Sequence, residues 1–255
     1  MRVIVTRPAA QAADWVLRLA ASGIDAVALP LIAIEPVADA SSLIEAWRDL
    51  ARNRLLIFVS PNACEQFFAQ HPAQFAWPEG VFAGSPGPGT TLALLRWGVP
   101  SAQIIEPAAD SKQFDSESLW AQLASHDWNG AGVLILRGDT GRDWLTDTLR
   151  SHGARVTHLT VYGRGVPVLS AAQRELLQDC LAAPSSFVWL FSSSEAIDNL
   201  EALTRKLADV DWSRSNAIAT HPRISARAQQ LGFARVQESR PLLDAVVACI
   251  QSFGP

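Results

Sequence analysis

The sequence predicts an α/β protein with parallel sheets. Three observations predict it. Short apolar runs, many of them β-branched, alternate with stretches of helical spacing about ten times. Ser, Gly and Pro mark the junctions between them. And units of the first half recur, in order, in the second.

The elements follow in sequence. Val3-Ile4-Val5 has the character of a buried strand, closed by Thr6, Arg7 and Pro8. Over Ala9 to Ala21, residues Ala12, Trp15, Val16 and Leu19 share one helical side, and Ser22-Gly23 ends the helix. Ala26 to Leu29 is the next strand, and the helical crossover makes the two strands parallel. Leu55 to Val59 is a strand; Ser60 caps the following helix, Pro61 suits its first position, and it runs through Phe68. Val81-Phe82-Ala83 leads through a Gly/Pro turn to a helix over Thr90 to Trp97, and Ile104-Ile105 is a short strand. A helix covers Leu119 to Ser125, a strand Val133 to Leu136, and a helix Arg142 to Ser151. Arg155 to Tyr162 is extended and Gln173 to Leu181 helical. Phe187 to Phe191 is a strand, and Ser192 to Glu195 opens its helix as a capping box. Ala217-Ile218-Ala219, a helix over Ile224 to Leu231, a strand at Val236 and a helix over Leu242 to Gln251 complete the chain.

The repeat is specific. Val3 to Arg7 resembles Val133 to Arg137, and Gly23 matches Gly153 at the same offset. Leu55 to Asn62 resembles Phe187 to Ser194, and Gly98 with Ile104–Glu106 resembles Gly232 with Val236–Glu238. Two similar lobes are the natural reading. A chain of 255 residues has room for them.

Composition bounds the function. Hydrophobic residues make up 49% and charged residues 18%, which is globular and far from disorder. A net charge of −4 excludes a broadly basic nucleic-acid binder. No uncharged apolar run approaches the ~18 residues of a membrane span. At the N-terminus, Arg7 and Pro8 cut short the only apolar stretch, so a signal peptide is not expected and the chain is expected to stay in the cytoplasm. The three cysteines, Cys64, Cys180 and Cys249, are far apart with no paired spacing, and are expected to be reduced fillers on helices.

In open parallel sheets, ligands sit beyond the carboxyl ends of the strands. Here those ends carry Thr6-Arg7, Ser60-Pro61-Asn62, Gly84 to Thr90, Arg137-Gly138-Asp139, Ser192-Ser193-Ser194 and Thr220 to Arg223 with His221. Such residues cap helices in any α/β protein. The excess of Arg favours an anionic ligand, because helix N-termini and guanidinium groups both bind carboxylate or phosphate. The Gly-rich stretch from Gly84 lacks the GK[ST] of a P-loop, no GxGxxG follows a strand, and the five histidines show no metal-binding spacing. Neither a dinucleotide cofactor nor a metal is expected. Tyr162, the only tyrosine, stands in Val161-Tyr162-Gly163-Arg164 at a strand end, where its phenol could donate a proton.

Thr6-Arg7-Pro8, Phe58 to Ala63, Gly87-Pro88-Gly89-Thr90, Leu134 to Gly138 with Gly141-Arg142, Val161 to Arg164 and Ser192 to Ala196, taken in order, resemble the uroporphyrinogen-III synthase family over essentially the whole chain. The resemblance implies two flavodoxin/Rossmann-like lobes joined by a two-stranded antiparallel linker. One lobe would comprise residues 1–30 plus 169–255, the other 39–157, with the linker at 31–38 and 158–168. It implies a cyclising lyase that closes hydroxymethylbilane into uroporphyrinogen III, with inversion of the last pyrrole ring and loss of water. The implied route passes through a cationic azafulvene and a spiro intermediate, without cofactor. The implied partner is that linear tetrapyrrole polycarboxylate, with no nucleic acid and no membrane; the resemblance favours a monomer and leaves open a transient contact with the preceding deaminase. Catalysis would be mainly positional. Tyr162 matches the family's tyrosine, the candidate to protonate the leaving hydroxyl. Thr90, Ser60, Asn62, Ser192 and Ser193 match its substrate-binding positions, and Arg7, Arg137 and His221 join them by charge and position. Thr220-His221-Pro222-Arg223-Ile224 departs from the family's Gly-Pro-Thr-Thr turn, so Arg223 or His221 would replace the threonine contact made there.

Two other readings compete. A non-enzymatic two-lobed anion-binding or regulatory protein would share the strand-end chemistry. A glycosyl or phosphoryl transferase would need a metal-binding carboxylate pair, for which only Asp110 and Asp139 offer themselves.

Overall fold

The computed structural model describes residues 1–72, 75–205 and 210–253. Backbone contacts divide the chain into two units, one made of Met1–Ala33 with Gly165–Pro255, the other of Ile34–Arg164.

The first unit holds a five-stranded parallel sheet. Its strands are β1 (Arg2–Val5) and β2 (Ala26–Ala28), then, from the far end of the chain, β9 (Phe187–Phe191), β10 (Asn216–Ala219) and β11 (Arg235–Glu238). The order across the sheet is β11-β10-β9-β1-β2. Helices α1 (Ala9–Ala21), α7 (Ala171–Ala182), α8 (Ser194–Thr204), α9 (Pro222–Leu231) and α10 (Leu243–Gln251) belong to this unit. Side chains alternate along each strand, as the pleat requires. Val3, Val5, Val188, Leu190 and Ile218 pack with Trp15 and Leu19 of α1 and Val246 and Ile250 of α10. Trp189 and Phe191, on the alternate positions of β9, stack 5.9 Å apart and meet Phe233 edge-on.

The second unit holds a six-stranded sheet of β3 (Ala33–Pro36), β4 (Leu55–Phe58), β5 (Phe82–Gly84), β6 (Ile104–Ile105), β7 (Gly132–Gly138) and β8 (Arg155–Gly165), ordered β3-β8-β7-β4-β5-β6. Its helices are α2 (Ser41–Arg48), α3 (Pro61–Phe68), α4 (Pro88–Arg96), α5 (Ser116–Leu123) and α6 (Trp144–Ser151). Leu56, Phe58, Leu134 and Leu136 face α2, α3 and α4 in an aromatic core with Trp47, Phe67, Phe68 and Trp77. Leu55, Ile57, Val133 and Ile135 face α5 and α6. Both faces of the sheet are therefore covered, which is why these strands read as unbroken apolar runs.

The repeat is visible in the topology. If β1, β2, β9, β10 and β11 are matched with β7, β8, β4, β5 and β6, the two sheets have the same order, with β3 as an extra edge strand in the second. Registers agree as well: Val3 pairs with Ala26 and Val188, and Val133 with Val156 and Leu55. Apart from β3, each sheet thus takes two strands from one half of the chain and three from the other. The registers align Leu55 with Val188 rather than Phe187, so Ser60 corresponds to Ser193.

Two local expectations are corrected. Helix α8 starts from Ser193, whose hydroxyl accepts from the Glu195 N–H; the Ser192–Glu195 capping box does not form. A capping box does form at α7, between Ser170 and Gln173. Helix α2 was not foreseen. Only Leu43 and Trp47 of its eight residues are buried, too few to show a period.

Candidate active site

In the second unit, Ser60 and Asn62 stand beyond the carboxyl end of β4, Tyr162 lies near that of β8, and Thr90 follows β5. Ser60 follows β4 and caps α3, its hydroxyl accepting from the Ala63 N–H at 3.2 Å. Pro61 occupies the first turn, where its missing N–H costs nothing. Asn62 is half-buried one position further on. Gly87 caps α4, Pro88 follows, and Thr90 lies buried in the first turn. The Cys64 thiol points at the Thr90 carbonyl, 3.9 Å away, so the starts of α3 and α4 adjoin.

Tyr162 is wholly enclosed. Its hydroxyl lies 3.0 Å from Ser60 Oγ and accepts from the Arg164 guanidinium at 2.8 Å. Arg164 also lies over the phenol ring, 5.3 Å from its centre. Residues 162 and 164 are two apart on β8 and so share a face. The neighbouring strand makes room. Gly138 pairs with Tyr162 just past a register shift in β7, and a Cβ there would come within 3.0 Å of the ring. Ser60, Tyr162 and Arg164 are thus one hydrogen-bonded chain.

Arg137 is bound elsewhere. Its guanidinium pairs with Asp143 at 2.6 Å and donates to the Gly141 carbonyl at 2.9 Å. The hydrogen bond from Arg137 holds the Asp143 carboxyl below the usual carboxylate range. Nearby, Arg142 grips both oxygens of Glu117 and depresses that carboxyl too.

In the first unit, β1, β9 and β10 end side by side. The Thr6 hydroxyl donates to the Leu190 carbonyl, tying the ends of β1 and β9. Arg7 lies over the Trp15 ring at 4.6 Å, and its Nε is enclosed without a hydrogen-bond partner among the described residues. Burial lowers its pKa to about 10, so it remains cationic at neutral pH. Ser192 and Ser193 are half-buried at the start of α8. His221 caps α9, its Nδ1 accepting from the Arg223 N–H at 3.1 Å. Ile224, three residues past that cap, is buried where the second unit has Thr90.

The sequence reasoning missed Arg164 as a functional side chain, although it stands in the quoted Val161–Arg164 motif. The signal was available: two positions along a strand put it beside the phenol.

This arrangement defines a class. It is a duplicated parallel α/β protein whose strand ends offer hydroxyls, guanidinium groups and helix N-termini, chemistry suited to an anionic small molecule. The family model described as uroporphyrinogen-III synthase HemD matches residues 13–248. The uroporphyrinogen-III synthase of Chlorobaculum parvum is 31% identical over 216 residues, 81% of each chain. That of Escherichia coli is 32% identical over 167 residues, 64% of this chain and 65% of that one. The solved uroporphyrinogen-III synthetase of Helicobacter pylori superimposes with a TM-score of 0.60 at 15% identity, covering 100% of both chains, and shows the shared fold. The chain belongs to the uroporphyrinogen-III synthase family. Its enzyme class is that of a cyclising lyase in tetrapyrrole biosynthesis, acting on a small-molecule tetrapyrrole.

Proposed function

We propose that Tyr162 is the proton source for loss of the hydroxyl from hydroxymethylbilane, and that the other strand-end residues hold the substrate. The observation that carries this is the bonded chain of Ser60, Tyr162 and Arg164 at the ends of β4 and β8. Thr90, Asn62 and the N–H groups opening α3 and α4 hold the substrate in the second unit. Arg7, Ser192, Ser193 and His221 do so in the first. Arg7 is the strongest of these, because it is cationic and half-buried beside the strand end, where a guanidinium can grip a carboxylate. Arg137 acts indirectly, by fixing the turn through Gly141 and Asp143.

Catalysis on this reading is chiefly positional. The protein holds the last pyrrole ring so that its substituted carbon is the one attacked, and the phenol assists departure of water. The same reading has a cytoplasmic monomer receiving its labile substrate through transient contact with the preceding deaminase.

The test is Tyr162→Phe, assayed with fresh hydroxymethylbilane. The expected result is a folded enzyme whose kcat is lower by about 100-fold, the lower end of the range for general acid catalysis. Its residual product should still be type III, since positioning survives. Wild-type kcat would overturn the assignment of Tyr162.

A further inference from the structure

We propose that the Ser60 hydroxyl relays the proton from Tyr162 to the leaving hydroxyl, and that Arg164 is the positioning residue that points the phenol proton along this path. The inference rests on the reading of Tyr162 above and deepens it.

Burial and hydrogen-bond accounting carry the argument. A phenol in a fully enclosed position cannot itself reach a substrate. It has one proton to give. Arg164 is a donor only, so its bond to the phenol oxygen can run in a single direction. The phenol proton must therefore point away from Arg164, and Ser60 Oγ lies 3.0 Å off to receive it. Ser60 Oγ already accepts from the Ala63 N–H, which with the phenol fills its two acceptor sites. Its own proton then has to point elsewhere. Ser60 is half-buried rather than enclosed, and it stands at a strand end where a ligand is expected. A polarised line results, from guanidinium to phenol to serine hydroxyl to substrate.

The step balances. The Ser60 O–H bond breaks as its proton joins the leaving hydroxyl oxygen. The C–O bond breaks with its electron pair on that oxygen, and water departs. The pyrrole nitrogen supplies the electrons that form the cationic azafulvene. Ser60 takes the Tyr162 proton, leaving a phenolate beside the Arg164 cation. After ring closure, the proton lost from the newly bonded pyrrole returns along the same two oxygens. No oxidant or further reactant is needed.

Ser60 also caps α3, so the test must separate the two roles. Replacing a serine cap by Ala lowers stability clearly, by Gly only slightly. Ser60→Ala, Ser60→Gly and Ser60→Thr are compared for melting temperature, KM and kcat with fresh hydroxymethylbilane. The relay requires both Ala and Gly to lower kcat by about 100-fold, the Tyr162→Phe value, despite their different stabilities, and Thr to restore most of it. The Ser60→Ala/Tyr162→Phe double variant should be no slower than either single, since the groups act as a unit. Arg164→Gln should lower kcat with KM unchanged, and Arg164→Lys should recover part of the loss. A Ser60→Gly enzyme with wild-type kcat would reduce Ser60 to a cap and overturn the relay. Multiplicative losses in the double variant would overturn it too. If Tyr162→Phe alone had wild-type kcat, the underlying assignment of Tyr162 would be what failed.

Discussion

Gly138→Ala tests whether the phenol's placement matters as the geometry says. The added Cβ would lie 3.0 Å from Tyr162 Cε2, 3.1 Å from Cζ and 3.4 Å from Arg164 Nε. Carbon pairs prefer about 3.5–4.0 Å, so the ring must retreat by roughly 0.5 Å. The Ser60–Tyr162 bond is 3.0 Å, and a retreat of that size takes it to the edge of hydrogen bonding. Overpacking of a closed site costs about 1–3 kcal/mol. Gly163→Ala, next to the same tyrosine, is the control. There the nearest atom to a new Cβ is 3.8 Å away. Urea unfolding should show Gly138→Ala less stable by about 1–3 kcal/mol, and Gly163→Ala within about 0.5 kcal/mol of wild type. Turnover should fall at least tenfold in the first and stay unchanged in the second. Equal stability and turnover for the two variants would refute the claim that Gly138 exists to seat the phenol.

Other outcomes follow from the same structure. Arg7→Met should raise KM about tenfold with little change in kcat, as expected on loss of a charged hydrogen bond to the substrate. Arg137→Met should instead lower the melting temperature, because it frees Asp143 and the Gly141 carbonyl. Burial raises the Cys64 thiol well above its ordinary value and the Cys180 thiol to about 12. A thiol reagent at pH 8 should therefore label Cys249 first in the native protein, and all three only in denaturant; rapid native labelling of Cys64 would contradict the packing. The Arg142 hydrogen bond lowers the Glu117 carboxyl, so the stability it contributes is present above the unfolded value of about 4.3 and is lost as pH falls through the folded one. Glu117→Gln should cost about 0.5 kcal/mol at pH 7, the scale of a half-exposed pair, and progressively less as pH falls below about 4, measured by thermal unfolding.

The strands and most helices were legible because alternation, capping residues and glycine stops each act locally. Pro61 after Ser60, and Gly232 in the left-handed region after α9, are examples. The repeat was legible to within one residue; pairing registers, which no single strand encodes, moved the match of Leu55 from Phe187 to Val188. Helix α2 escaped because its stability comes from Trp47 stacked on Phe67 at 4.2 Å, a partner twenty positions away. In the site, Ser60 and Tyr162 could be named from their places at strand ends. Their mutual contact, spanning 102 positions, could not, since it depends on β4 and β8 flanking β7. Arg7 and Arg137 look alike in sequence and hold the same place in the repeat. They differ because Arg137 has Asp143 six residues on, while Pro8 and α1 set Trp15 against Arg7.

The most direct measurement supplies the purified protein with fresh hydroxymethylbilane and separates the cyclic products by isomer. The account requires uroporphyrinogen III to dominate, at a yield that rises with enzyme. Uroporphyrinogen I alone, in the proportion formed without protein, would contradict it.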